Sequence, residues 1–283
     1  MIPYGSLVIY LTPKGKRYLK RLTENSDWHT NDGSLPANTV AAANFGDVVF
    51  TSQGMPVRIL EATLEDKIMG IKRQTQIIYP KDIAFICLRL GAGPGRTICE
   101  AGCGSGGLTL ALSWYCGPTG KVVSQDYREE FVKLARRNLD WANVGANVEL
   151  YCRNLEEGFP RNDADAVFID VREPWLFLEQ IAACLKPGGI AGFLAPTVNQ
   201  ISELCTALEL QPFCEPEIIE LLVRRWKPLP DRLRPFDRMA AHTSFLMFCR
   251  KCSPCQKFAD AGSHGTRERK QEAAKLARLS EAY

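Results

Sequence analysis

Glu100-Ala101-Gly102-Cys103-Gly104-Ser105-Gly106-Gly107-Leu108 joins an apolar run, Arg96-Thr97-Ile98-Cys99-Glu100, to a helical one over residues 108–114. Glycines between a strand and a helix let the backbone turn tightly and approach a ligand at the helix N-terminus. Outward from this loop the pattern repeats. Lys121-Val122-Val123-Ser124 reads as a second strand, and residues 129–141 as an amphipathic helix with Phe131, Leu134, Ala135 and Leu139 on one side. Residues 148–151 and 166–169 read as third and fourth strands. A helix over 176–185 is expected to end at Pro187-Gly188-Gly189, followed by a fifth strand at 190–194 and a helix at 201–208. Upstream, residues 82–88 suit a buried helix; downstream, 218–223 and 244–249 suit strands. Strands alternating with helices imply an α/β fold with a mainly parallel sheet covered on both faces.

The loop satisfies two templates. Gly102, Gly104 and Gly107 fit G-x-G-x-x-G of a dinucleotide fold. Gly102, Gly104 and Gly106, preceded by Glu100, fit the E/D-x-G-x-G-x-G loop of S-adenosylmethionine (SAM) enzymes. An acid two residues before the first glycine suits a ligand's cationic end, such as an aminoacyl-sulfonium group, and suits a pyrophosphate badly. Asp126 follows the second strand, where it can accept hydrogen bonds from ribose hydroxyls in either reading. Asn154 follows the third strand, where an amide could read an adenine edge or simply make a turn. Asp170 ends the fourth strand, at the sheet edge where such folds bind ligands; a helix cap is the plainer alternative.

Composition fits an ordinary folded chain: 283 residues, 46% hydrophobic and 24% charged, which excludes collagen-like and wholly disordered classes. Residues 1–70 read as a small β domain of short strands and turns, with no helix-period segment of useful length. Residues 71–251 form the α/β domain and 252–283 a polar basic tail. No apolar run approaches the roughly 20 residues of a membrane span. The start lacks the basic and apolar regions of a secretory signal, so a cytoplasmic location is expected. The 11 cysteines are odd in number and scattered, some within apolar strand-like runs, as reduced core thiols are. Cys249, Cys252 and Cys255 would suggest zinc only with a fourth ligand such as His264, and no metal is expected. Residues 224–238 hold six Lys/Arg against two Asp, a stretch able to meet phosphates, though a solvated surface would look the same.

Gln76-Ile77-Ile78-Tyr79-Pro80-Lys81-Asp82, the 100–108 loop, the segment from Asp170 to Trp175, Leu185-Lys186-Pro187-Gly188-Gly189 and Arg238-Met239-Ala240-Ala241-His242-Thr243-Ser244-Phe245-Leu246 occur in one order. Over roughly residues 5–251 the chain resembles the tRNA (adenine-58-N1)-methyltransferase family in its bacterial and archaeal single-subunit form. The resemblance implies a class I methyltransferase (Rossmann-like) domain after a small N-terminal β domain, SAM as cofactor, tRNA as substrate, and a homotetramer. It places the SAM loop on Gly102, Gly104, Ser105, Gly106, Gly107 and Leu108, the ribose acid on Asp126, the adenine-side position on Asn154, where the family usually has Asp, and the catalytic acid on Asp170. Gln76 and Tyr79 match pocket residues; Tyr79 is taken with Asp170 as catalytic, and Gln76 and Glu100 with the cofactor set. Arg225, Arg234, Arg238 and His242 are the RNA-side candidates. Arg172 replaces an expected proline, Leu194 an aromatic, Ser244 a glycine and Cys103 a threonine.

Other readings make different demands. A methyltransferase for a small molecule or protein carboxylate would transfer no methyl to tRNA. A catalytically silent tRNA-binding subunit would not need the intact glycines and Asp170. A nicotinamide dehydrogenase would bind NAD in place of SAM.

Overall fold

The computed structural model describes residues 1–74 and 76–253. The tail beyond them, including Cys255 and His264, lies outside the described residues.

The chain opens with β1 (Leu7–Leu11), β2 (Arg17–Arg21), the β3 (Trp28–Thr30) and β4 (Gly33–Leu35) hairpin, α1 (Ala37–Ala42), β5 (Val48–Phe50) and β6 (Pro56–Glu61). Four of these strands form one sheet in the order β2-β1-β6-β5, antiparallel throughout. The alternation in β1 sends Val8 and Tyr10 into one core with Trp28, Leu35 and Val40. Leu7 and Ile9 face the other way, toward Trp141 of the following domain. α2 (Leu64–Gly70) follows, started by a reciprocal capping box between Thr63 and Asp66. α1 and α2 depart from the expected all-strand reading of this region. At six and seven residues they are too short to show a helical period in the sequence.

Next come α3 (Pro80–Arg89), β7 (Thr97–Ala101), α4 (Gly107–Cys116), β8 (Lys121–Asp126), α5 (Glu129–Ala142), β9 (Val148–Cys152), β10 (Ala164–Ile169), α6 (Leu178–Cys184), β11 (Leu185–Ala195), α7 (Val198–Leu208), β12 (Phe213–Ile219), the two-residue pair β13 (Trp226–Lys227) and β14 (Arg234–Pro235), and β15 (Phe245–Lys251). Seven strands make one sheet, ordered β12-β15-β11-β10-β7-β8-β9. The β11-β10-β7-β8-β9 part is parallel, and β15 runs antiparallel between β11 and β12. Alternate residues of β7 and β10 divide between two cores. Ile98, Ala166 and Phe168 pack under α3 and α4, while Cys99, Val167 and Ile169 pack under α6 and α7. Burial on both faces explains why these strands read as unbroken apolar runs. Strand order reverses between β7 and β10, which puts the open crevice at their carboxyl ends.

Two boundaries differ from the sequence reading. The helix stops at Cys184, and Leu185 already pairs with Ala164; Lys186 to Gly189 then form a bulge within β11 before Ile190 pairs with Ala166. The strand expected at 218–223 lies at Phe213–Ile219, and beyond it the carbonyl of Leu221 accepts from Lys81 Nζ (2.9 Å) rather than from a neighbouring strand. The described cysteines are free thiols, with Cys87, Cys99, Cys103, Cys116, Cys184 and Cys249 buried. Among the described residues, no helix is long and apolar enough to cross a membrane, and no group of three or more His, Cys, Asp or Glu is placed to hold a metal.

Arg21 joins the two sheets. Its guanidinium donates to the carbonyls of Gly5 (2.9 Å), Asp140 (3.1 Å) and Trp141 and to Asn143 Oδ1 (2.9 Å). It therefore caps the last carbonyls of α5, where the helix dipole favours a cation. Asn143, left-handed at φ 54°, turns the chain there and returns a bond from Nδ2 to Gly5 O (3.0 Å). Arg21→Ala is expected to cost about 2 kcal/mol, lowering Tm by roughly 4–8 °C in thermal unfolding. An unchanged Tm would remove this junction from the account of stability.

Candidate active site

The glycine loop leaves β7 directly over the start of Asp170. Asp170 N donates to Ala101 O (2.9 Å), which holds the ends of β7 and β10 together. Gly102 has φ +92°, and a Cβ there would lie 2.1 Å from the Asp170 carbonyl oxygen. No other residue fits that approach without moving the backbone. Gly106, at φ +83°, packs on Ala135 of α5, where a Cβ would sit 3.1 Å from its Cα. Positive φ falls on Gly102, Gly104 and Gly106, while Gly107 has none and opens α4. The positive dihedrals thus fall on the three glycines of the second template, the one begun by Glu100.

Three carboxylates converge on this loop. Asp126, buried at the end of β8, accepts from Gly104 N (3.2 Å) through Oδ2 and from Arg128 N (3.1 Å) through Oδ1. Glu100 is buried, and its Oε2 accepts from both Thr109 Oγ1 and Ser124 Oγ at 2.6 Å. These two bonds tie its Oε2 to α4 and β8. Asp170 has no hydrogen-bond partner for its carboxylate among the described residues. Burial pushes Glu100 up to about 7, opposed by the Ser124 and Thr109 hydroxyls and reinforced by the charges of Asp170 and Asp126. Desolvation pushes Asp170 up to about 6, with Asp126 adding to it. Buried like charges of this kind favour a cation placed among them.

Two clefts open on either side of this group, sharing Gly102, Asp126, Arg128 and Asp170. One, of about 250 Å³, is also lined by Gln76, Glu100, Gly104, Ser105, Gly107 and Leu108. The other, of about 380 Å³, is lined by Asn154, Leu155, Arg153, Arg172 and Phe177 among others. Asn154 borders this second cleft, but its side chain also caps the turn at Leu155–Glu157, accepting from Glu156 N (3.3 Å). Arg128 lies over the Phe131 ring, 3.8 Å from its centroid, and forms one wall between the clefts.

Sequence reasoning missed the residue that holds the loop from behind. Asn138 of α5 is buried; its Nδ2 donates to Ser105 O (2.8 Å) and Lys72 O (2.9 Å), and its Oδ1 accepts from Lys72 N (3.0 Å). An asparagine on the inward face of an amphipathic helix was the available signal.

Tyr79 is not brought beside Asp170. It lines a separate groove of about 890 Å³, with Lys81, Tyr115, Arg224, Arg225, Phe236 and Arg238. Arg225 pairs with Glu65 (3.5 Å) and Arg234 with Asp237 (3.6 Å), both exposed. His242 lies at the root of this arginine-bearing segment. Its Nδ1 faces Glu220 Oε1 (2.6 Å) and its Nε2 faces Pro196 O (2.9 Å). With an acceptor facing each ring nitrogen, the Pro196 carbonyl first and Glu220 second, these contacts raise the pKa of His242.

The chain is similar to known proteins. Residues 56–243 match the family described as tRNA methyltransferase complex GCD14 subunit. The tRNA (adenine(58)-N(1))-methyltransferase TrmI of Thermus thermophilus is 34% identical over 239 residues, covering 84% of this chain and 94% of that protein. The tRNA (adenine(57)-N(1)/adenine(58)-N(1))-methyltransferase TrmI of Methanocaldococcus jannaschii is 30% identical over 267 residues, covering 84% and 92%. Among solved structures, the tRNA (m1A58) methyltransferase TrmI of Aquifex aeolicus superposes with a TM-score of 0.78 at 34% identity, covering 89% of this chain and 99% of that one. A SAM-dependent O-methyltransferase of Thermotoga maritima gives a TM-score of 0.84 at 37% identity, covering 90% and 96%. With the class I methyltransferase sheet and a loop of this glycine pattern, the chain belongs to the tRNA (adenine-N1)-methyltransferase family.

Proposed function

We propose that the protein methylates N1 of an adenosine in the tRNA T loop, at position 58, with SAM as methyl donor. The observation that carries the reading is the carboxylate of Asp170, unpartnered at the carboxyl edge of β10 beside the loop held by Gly102. When bound, SAM supplies a methyl group on a sulfonium cation. The chemistry of the lining fits it, since Glu100, Asp126 and Asp170 place negative charge around the two joined clefts. In this reading Asp126 accepts from the ribose hydroxyls, Gln76 and the 102–108 loop line the methionine side, and Asn154 borders the adenine side.

N1 of adenine is engaged within a folded T loop, so the base must be extruded, at a cost of a few kcal/mol. Methylation at N1 puts positive charge on the ring and acidifies the N6 amine. Asp170 would accept a hydrogen bond from N6, which orients the base, opposes the developing charge and offers a seat for the departing proton. Tyr79 stands in the adjoining groove, where it could pack on RNA. Arg225, Arg234 and Arg238 would meet phosphates, giving affinity without sequence information.

The segment carrying these arginines also exposes Leu222, Trp226, Leu229, Leu233 and Phe236. So many exposed apolar groups support a homo-oligomer. The basic tail at 252–283 is a second candidate for phosphate contacts. A cytoplasmic location is part of the same reading.

Replacing Asp126 by Ala should weaken SAM binding by about 1–3 kcal/mol, the cost of losing a buried hydrogen-bonding partner. Calorimetry that finds SAM affinity unchanged would take Asp126 out of the cofactor site.

Asp170→Ala should lose single-turnover methylation by orders of magnitude while tRNA binding is largely kept. Asp170→Asn separates charge from shape, because the amide can still accept from N6. Since Asp170 must be ionised to act and is pushed up to about 6, the wild-type rate should fall as pH drops through about 6. A cation bound nearby would move that midpoint lower. The Asp170→Asn variant should lack this limb. Rates within a few-fold of wild type in both variants would exclude Asp170 as the catalytic group.

A further inference from the structure

The residues between Leu221 and His242 leave the sheet after β12 and return to it at β15. Their regular structure amounts to the two-residue pair β13 and β14 and a single 3-10 turn at Pro230–Arg232 between them. An excursion with so little core of its own takes its orientation from its roots. Both roots pass through one neck. On one side, His242 bridges Glu220 and the Pro196 carbonyl. On the other, Lys81 Nζ donates to Leu221 O (2.9 Å) just after β12 and to Thr243 Oγ1 (2.7 Å) just before β15. Lys81 is also held by both carboxylate oxygens of Asp82, at 2.8 and 3.0 Å. Thr243 Oγ1 completes the circuit by donating to Asp82 Oδ2 (2.9 Å).

This is a costly arrangement. The Asp82 side chain is 1% exposed and that of Lys81 14%. Two charges withdrawn from water are rarely the cheapest way to stabilise a fold; their usefulness lies in geometry that apolar packing does not specify. Here the geometry concerns two distant parts of the chain. Lys81 and Asp82 lie in the first turn of α3, immediately after Tyr79. Leu221 and Thr243 bracket the segment bearing Arg224, Arg225, Arg234 and Arg238. Tyr79 and three of these arginines face each other across the 890 Å³ groove.

We propose that Lys81, Asp82 and Thr243 act as positioning residues, clamping the 222–241 segment at its neck so that its arginines are set against Tyr79 for tRNA engagement. The inference rests on the proposed tRNA reading. None of the three is assigned to the SAM clefts, so the clamp acts on the RNA side alone.

Thr243→Val keeps the side chain's size and removes the hydroxyl; Thr243→Ser keeps the hydroxyl. The double substitution Lys81→Met with Asp82→Leu removes both charges together and leaves neither buried without a partner. The Val variant should raise the KM for tRNA about tenfold, the scale of one lost hydrogen bond, and the double variant more. The Ser variant should stay within about twofold of wild type. SAM affinity should be unchanged in all three. Hydrogen exchange on the protein alone should quicken within residues 222–241 of the Val and double variants and stay unchanged in β7 and β10. Unchanged tRNA KM in the folded Val and double variants would overturn the proposal. So would exchange that quickens equally across the whole sheet. If the wild-type protein transfers no methyl to tRNA, the functional reading fails by itself, and the exchange comparison still decides whether the clamp exists.

Discussion

The backbone of Asp170 passes so close to residue 102 that a side chain there would collide with its carbonyl, 2.1 Å from the position of a Cβ. The site depends on this contact. It brings the ends of β7 and β10 together at the point where strand order reverses, and the Asp170 N–H to Ala101 carbonyl bond fixes it. Once those ends meet, the glycine loop must turn over Asp170, and Asp126 of β8 reaches Gly104. Three carboxylates then share one crevice, with burial and mutual repulsion pushing two of them up. Carboxylates raised in this way would be relieved by a cation placed among them.

The surrounding structure serves to hold this geometry still. Asn138 grips the loop from α5, Thr109 and Ser124 fix Glu100, and Arg128 lies across Phe131 between the two clefts. Arg21 in turn fixes the end of α5 to the N-terminal sheet. The N-terminal strands are therefore coupled to the glycine loop through a single helix, with Trp141 packed against Leu7 and Ile9 as the apolar part of the joint. The 222–241 segment is organised differently, from its neck outward rather than by a core.

Much of the site could be read from the sequence because each of its parts has a local cause. A glycine at positive φ, an acid after an apolar strand and a strand-to-helix rhythm all leave marks at short spacing. Glu100 favours one of the two glycine templates, and the positive dihedrals at Gly102, Gly104 and Gly106 accord with it. Other parts arise from contacts far apart in the chain between residues of ordinary type. Arg21 with Asp140, Asn138 with Lys72, and Lys81 with Leu221 and Thr243 show no spacing that sets them apart from surface polar residues. The helices α1 and α2 escaped because one or two turns show no period. The end of α6 was misplaced because Pro187-Gly188-Gly189, a plausible helix stop, instead forms a bulge inside β11. Tyr79 comes just before Pro80, which starts α3, and it lines the groove next to the cleft that Gln76, Ile77 and Ile78 border.

The account stands or falls on what receives the methyl group. The direct measurement is to incubate the protein with labelled SAM and a tRNA transcript bearing no modifications, then map the labelled nucleotide. The account predicts a single label on N1 of the T-loop adenosine at position 58. It would be contradicted by label on a ribose or other hydroxyl oxygen, or by transfer to small hydroxyl compounds with none to tRNA, as the O-methyltransferase description of the Thermotoga maritima neighbour would lead one to expect.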